Sequence, residues 1–178
     1  VFDFKSLYPS IIRTFNIDPL SHLQARGVPS TSLASRDAPI AAEDSPDYVT
    51  EPGRAGELIR APNGALFVPE AGILPQMLAG FFDERAQARA IGDELAAYTY
   101  KIVMNSFYGV LATGSCRFAE GALAGAITGF GHYLLRWTKA LLEDSGRATV
   151  LYGDTDSLFV DAHLPGKLAP ASAHESGQ

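Results

Sequence analysis

Cysteine is almost absent: Cys116 is the only one. That excludes an internal disulfide and a cysteine-built zinc site, and it reads as a small core residue. Positive charge is scarce too. Fourteen Lys and Arg stand against 20 Asp and Glu, for a net charge of −6. This is the reverse of the basic footprint expected of a nucleic-acid binder, unless the cations gather in one place or the binding parts lie elsewhere. No apolar run is long enough to cross a bilayer and no secretory leader is visible, so no membrane partner and a cytoplasmic location are expected. None of His22, His132, His163 and His174 has a partner at metal-ligand spacing, and each reads as incidental. An initiator methionine is missing, and Val1-Phe2-Asp3-Phe4 reads as mid-strand, as expected of a fragment of a longer chain.

What is present is enough for one ordinary domain or two small lobes: 178 residues, 47% of them apolar, can bury a real core. The most informative stretch runs from Val150 to Val160. Two runs rich in β-branched and aromatic residues flank Gly153-Asp154-Thr155-Asp156, the pattern of a hairpin, with strands that look buried. Asp154 and Asp156 stand two residues apart, and carboxylates that close repel unless a positive charge lies between them. A hard divalent cation such as magnesium would serve; a solvated hairpin tip fits the same residues equally well. A calcium loop starting at Asp154 is excluded, because its twelfth position is Pro165 rather than glutamate.

Upstream, residues 1–18 predict a short strand ending at Asp3, a tight turn through Ser6-Leu7-Tyr8, and a helix with Pro9 as its first residue that stops at Asp18-Pro19. Such a turn offers free backbone N–H groups to a phosphate. Residues 20–64 hold prolines and glycines without sustained periodicity and read as a long irregular insertion, more dispensable than functional. Ala65–Pro69 reads as a short strand ending it. Residues 72–109 predict an antiparallel helix pair with a turn at Gly92-Asp93. Arg85 and Arg89 are neighbours on the first helix. Lys101, Asn105 and Tyr108 share a face of the second, which ends at Gly109; a solvated face with a chance lysine is the bland alternative. Residues 119–144 predict a third helix. Its apolar stripe, Leu123, Ile127, Phe130, Leu134, Trp137 and Leu141, reads as core. Gly121, Gly125 and Gly129 repeat every four residues, which suits close approach to another backbone, such as the sheet. From Leu164 onward the chain reads as a frayed end.

Three stretches taken together resemble the signatures of family B DNA polymerases: Asp3-Phe-Lys-Ser-Leu-Tyr8-Pro-Ser-Ile-Ile, Lys101-Ile-Val-Met-Asn105-Ser-Phe-Tyr108-Gly109, and Tyr152-Gly-Asp154-Thr-Asp156-Ser. They occur in the family's order, and the wording around them resembles the bacterial DNA polymerase II branch. The resemblance implies an α/β (α+β) fold: a right-hand palm with an antiparallel sheet backed by helices, and a helical-hairpin fingers lobe. Palm segments would be 1–20 and 110–165, fingers 72–109, the insertion 21–71 and the frayed end 166–178. It implies DNA-directed DNA synthesis from deoxynucleoside triphosphates on primer–template DNA, in a bacterial cytoplasm and nucleoid. The N-terminal, exonuclease and thumb regions would belong to the parent chain, with a sliding clamp as a further partner.

The resemblance also assigns roles. Asp3 and Asp154 match the two metal-bridging carboxylates and Asp156 the adjacent acid, around two Mg2+ ions (Mn2+ as a substitute) roughly 3.5–4 Å apart. Arg85 matches the arginine that grips the triphosphate, and Arg89 stands where many members carry lysine. Lys101 matches the lysine that contacts the triphosphate and protonates pyrophosphate, and Asn105 a further contact. Backbone amides near Ser6 and Leu7 would hold phosphate oxygens. Tyr8 resembles the steric gate under the sugar, and Tyr108 with Gly109 the packing beneath the nascent base pair. The charges are self-consistent: three aspartates and a triphosphate carry roughly seven negative charges and two divalent cations offset about four. Arg85, Arg89 and Lys101 would supply the rest. A nucleotidyl cyclase on a similar sheet could share the paired aspartates but would have no use for Tyr8 or the Lys101 helix. An inactive DNA-binding relative would not need Asp3, Asp154, Lys101 and Arg85 all intact.

Overall fold

The structure is a computed structural model that describes residues 1–27, 58–146 and 148–162. In chain order the elements are β1 (Phe2–Asp3), α1 (Leu7–Thr14), α2 (Pro19–Gly27), β2 (Ile59–Arg60), β3 (Leu66–Phe67), α3 (Ile73–Ala90), α4 (Glu94–Ala112), α5 (Gly121–Asp144), β4 (Ala148–Asp154) and β5 (Ser157–Ala162). Two small antiparallel sheets form, β1-β5-β4 and β2-β3, amid a majority of helix.

Helix α1 lies at the centre, in contact with α3, α4 and α5. Its apolar positions Leu7, Ile11, Ile12 and Phe15 follow helical spacing and are all buried. Leu78 from α3, Met104 and Leu111 from α4, and Leu123, Ile127 and Phe130 from α5 close around them. Phe15 and Phe130 stack with ring centroids 3.8 Å apart and planes 4° from parallel. Pro9 is the third residue of α1 rather than the first. It is tolerated there because the N–H groups of a first turn have no intrahelical acceptor in any case; the first helical bond runs from Ser10 N to Ser6 O. The helix ends in a Schellman arrangement: Asn16 takes a left-handed φ of 50° and Ile17 N donates to Ile12 O.

The α3–α4 pair forms as the sequence predicts. Gly92, at φ 76°, supplies the left-handed residue after α3, and Asp93 N donates back to Ala88 O. Asp93 Oδ1 then accepts from Ala96 N and caps α4. Helix α4 continues one turn past Gly109, to Ala112, since Leu111 still reaches the core.

Five expectations need correction. The 20–64 stretch is not uniformly irregular: it contributes α2 and the β2–β3 hairpin, whose Ile59, Ala61, Ala65 and Phe67 are core residues; positions 28–57 lie outside the described residues, as does the end from 163 onward. The glycines of α5 do meet a close neighbour, but it is this hairpin and not the larger sheet. A Cβ on Gly125 would sit 2.8 Å from Asn63 Nδ2, and one on Gly129 3.2 Å from Pro62; Gly121 meets nothing. The α5 stripe is core only through Phe130, with Leu134 partly covered, whereas Trp137 and Leu141 are half exposed, because α5 outruns the helices that cover its first half. Cys116 is partly exposed rather than core, and His22 is not incidental. It is buried, with Nδ1 2.8 Å from Leu66 O and Nε2 3.5 Å from Glu120.

Because Phe130 fills the centre and stacks on Phe15, Phe130→Ala should cost about 3–5 kcal/mol. Urea denaturation would measure it, and a loss below about 1 kcal/mol would show that the stack is not central to the core.

Candidate active site

Strand pairing brings the two ends of the described chain together. β5 is the middle strand; Asp3 pairs with Ser157 on one side of it and Asp154 pairs with Ser157 on the other. Cross-strand partners project to the same face, so Asp3, Ser157 and Asp154 form one row across the sheet. Phe4 N donates to Asp156 O at 2.8 Å and extends the pairing by one residue. The turn between β4 and β5 is two residues, Thr155 and Asp156. Thr155 has a φ of 38°, rare for a β-branched residue, and its Oγ1 donates to Asp154 Oδ1 at 3.0 Å. A bulge between Val150 and Tyr152 shifts the register; without the extra residue Asp154 would not face Ser157. The strands are not buried as their composition suggested. Apart from Ala148 and Leu158 both are largely open; among the described residues, α5 is the helix packed against the sheet.

Beside this row lies a cleft of about 650 Å³, lined by residues of β1, α1, α3, α4 and the hairpin turn. Asp3 and Asp156 both line it; Arg85, Arg89 and Lys101 come from the helix pair, as do Asn105 and Tyr108, and the turn into α1 supplies Ser6, Leu7 and Tyr8 as the floor. The lining thus holds four cations, counting Lys5, against two carboxylates, in a chain of net charge −6. This local cluster is what the overall composition concealed. Two predicted residues stand apart from the lining. Asp154 is exposed at the turn beside it, and Gly109 is exposed on α4. Among the described residues, no three Asp, Glu, His or Cys side chains close into a ready-made ligand cage. The acids are a row and a neighbour, not a cage.

The cationic wall is anchored to the floor. Arg85 is 7% exposed, and its Nη1 donates to Ser6 Oγ at 3.3 Å. Burial, and then the charge of Arg89, lower its pKa, yet a guanidinium stays charged. Its buried Nε has no partner in the described structure. Ser6 itself has a left-handed backbone, φ 55° and ψ 53°, which turns the chain from β1 into α1. Tyr8 leans on Tyr108, centroids 4.8 Å apart. Its phenol pKa is raised by burial first, then by Tyr108 and Asp156, so the ring is neutral and the Asp156 carboxylate lies within electrostatic reach. Lys5 and Thr155 are lining residues to which the sequence patterns assign no role. The alternation Asp3-Phe4-Lys5 could have suggested that Lys5 follows Asp3 to the same side.

Residues 1–167 match the sequence model of DNA polymerase family B. The chain is 41% identical over 160 residues to DNA polymerase II of Escherichia coli, covering 90% of this chain and 17% of that protein. It is 29% identical over 164 residues to the DNA polymerase of Desulfurococcus sp. (strain Tok), covering 92% and 19%. The family B DNA polymerase of the archaeon Pyrobaculum calidifontis shares the fold, with a TM-score of 0.59 at 22% identity over 89% of this chain and 19% of that one. The chain therefore spans less than a fifth of the length of these relatives. With the family model covering nearly all of its residues, the chain belongs to DNA polymerase family B.

Proposed function

We propose that this chain carries the nucleotidyl-transfer centre of a DNA-directed DNA polymerase, joining a deoxynucleoside triphosphate to a primer 3′-hydroxyl. The observation that carries the reading is a gathering of unlike charges: Asp3 and Asp156 line one cleft with Arg85, Arg89 and Lys101 of the helix pair, and Asp154 stands beside it in one row with Asp3. In this reading β1, α1, α5, β4 and β5 are palm, and α3 with α4 is the fingers lobe.

The donor set suits hard divalent cations: exposed carboxylate oxygens on one sheet face, with no sulfur or imidazole among them. Asp3 and Asp154 would hold two Mg2+ ions, or Mn2+ in their place, with Asp156 tuning the geometry. Bound there, the ions would make the primer hydroxyl more acidic and neutralise the triphosphate and leaving pyrophosphate. The chain's own residues do the rest. Arg85, Arg89 and Lys101 orient the phosphates, and Lys101 would give a proton to the leaving group. Asn105 adds a neutral contact. The amides after Ser6 open α1 with N–H groups free for phosphate oxygens. Tyr8, braced by Tyr108, is the floor on which a ribose 2′-hydroxyl would collide. Primer–template DNA, the remaining regions of a full-length polymerase and a sliding clamp are the partners this reading requires.

Three outcomes test it. In the full-length protein, Asp154→Asn should reduce primer extension roughly a thousandfold, the loss of several kcal/mol of metal-ion stabilisation, while DNA affinity holds; retained synthesis would defeat the assignment. Tyr8→Ala should admit ribonucleotides in single-nucleotide incorporation assays, and unchanged sugar selectivity would remove the gate role. Divalent metal at ten times its Kd should stabilise the folded protein by about 1.4 kcal/mol, and Asp3→Ala should abolish that gain in thermal melts. Equal gains in both proteins would place the ions elsewhere.

A further inference from the structure

The link between α1 and α2 is a buried polar joint. Asn16 Nδ2 donates to the carbonyls of Val68 and Glu70, each at 2.6 Å, with Ser21 Oγ at 3.2 Å, and its Oδ1 accepts from Gly72 N at 2.7 Å. Two residues on, Asp18 is 1% exposed. Its Oδ1 accepts from Leu20 N at 2.8 Å and Ser21 N at 3.1 Å and caps α2, while its Oδ2 accepts from Leu74 N at 2.9 Å in the first turn of α3. One carboxylate thus caps two helices, where both macrodipoles favour negative charge. Gly72 makes the approach possible: a Cβ there would lie 2.5 Å from Asp18 Cβ. Three segments meet at this joint: the exit of α1, the start of α2 and the root of α3.

The consequence lies at the other end of α3. Arg85 and Arg89 stand well down the helix from Ile73, about 18 and 24 Å along its axis at 1.5 Å per residue. A tilt of about 10° at the root would carry them roughly 3–4 Å, enough to make or lose a hydrogen bond. We infer that Asn16 and Asp18 are positioning residues for the cationic wall, a buried fulcrum that sets the reach of Arg85 and Arg89 without touching the nucleotide. This deepens the polymerase reading and rests on it for the role of the two arginines.

The test uses the full-length protein, steady-state primer extension and urea melts. Asp18→Asn keeps an acceptor for Leu20 and Ser21 but turns an NH2 group on Leu74 N–H. Gly72→Ala displaces the same joint while removing no polar group. Each should raise KM for the deoxynucleotide roughly tenfold, with kcat at saturating nucleotide and DNA affinity held within about twofold. In an Arg85→Ala/Arg89→Ala background that KM effect should vanish, since the joint acts through those two groups. An unchanged KM with a lowered urea midpoint would mean a purely structural joint and overturn the inference, as would an effect that multiplies with the double Arg85→Ala/Arg89→Ala substitution. Should Asp18→Asn fail to fold, Gly72→Ala decides by the same criteria. A wild-type protein that extends no primer would overturn the polymerase reading and the inference with it, whereas an Arg85→Ala/Arg89→Ala variant with a normal KM would overturn the inference alone.

Discussion

The site depends on a single antiparallel pairing. β1 is two residues long, yet its pairing with β5 sets Asp3 beside Ser157, and β4 sets Asp154 on the far side of the same serine. Residues from opposite ends of the described chain thereby share one row. Side chains alternate faces along a strand, so a slip of one position would turn an acid to the other side. The extra residue at the bulge between Val150 and Tyr152 is what brings Asp154 into register. The geometry of the acids comes from backbone hydrogen bonds and not from packing, because the strands that carry them are mostly exposed.

The second wall is made differently. Arg85 and Arg89 sit on one helix and Lys101 on its antiparallel partner, so the turn at Gly92-Asp93 folds cations distant in sequence onto one side of the cleft. Helix α1 lies between the walls and belongs to both: Ser6 receives Arg85, while Tyr8 meets Tyr108 and feels Asp156. Among the described residues no ion pair joins Asp3 or Asp156 to Arg85, Arg89 or Lys101. Each wall is left to act on whatever lies in the cleft, and a phosphate chain with divalent cations is the substrate class that would satisfy both at once.

Much of this was legible in the sequence because it rested on local rules. The helix pair was announced by periodicity and by Gly92-Asp93, and the i, i+4, i+7 spacing of Lys101, Asn105 and Tyr108 put them together on the cleft. The hairpin was announced by Gly-Asp-Thr-Asp. Long-range facts were hidden. Nothing in Trp137 or Leu141 says that α5 outruns its neighbours, and β-branched composition cannot say whether a strand is covered on either face. Of the hairpin at 59–67 only the second half was legible: Ala65–Pro69 reads as a strand and holds β3, while β2 was lost in its surroundings, since a two-residue strand gives almost no alternation to read. Asp18 was read only as part of a helix stop. The signal for its real role was present: an aspartate directly before a helix is a preferred cap, although no sequence rule would reveal its second helix, which starts more than 50 positions later.

The division between apolar core and polar joint follows from what each kind of contact can fix. Burial of Leu78, Ile12 or Phe130 is strong but non-directional, and a core of that kind holds helices together more firmly than it sets their tilt. Hydrogen bonds have preferred distances and angles, so a helix that must aim a guanidinium gains most from directed bonds at its root, where a small angular error is magnified along its length. That is where this chain places Asn16 and Asp18, with their donors and acceptors saturated by α2, α3 and the strand exit. Leaving one such group unpaired would be costly in so buried a place. The joint therefore stays in one arrangement, and the tilt it sets for α3 is as well defined as the register that sets the acids.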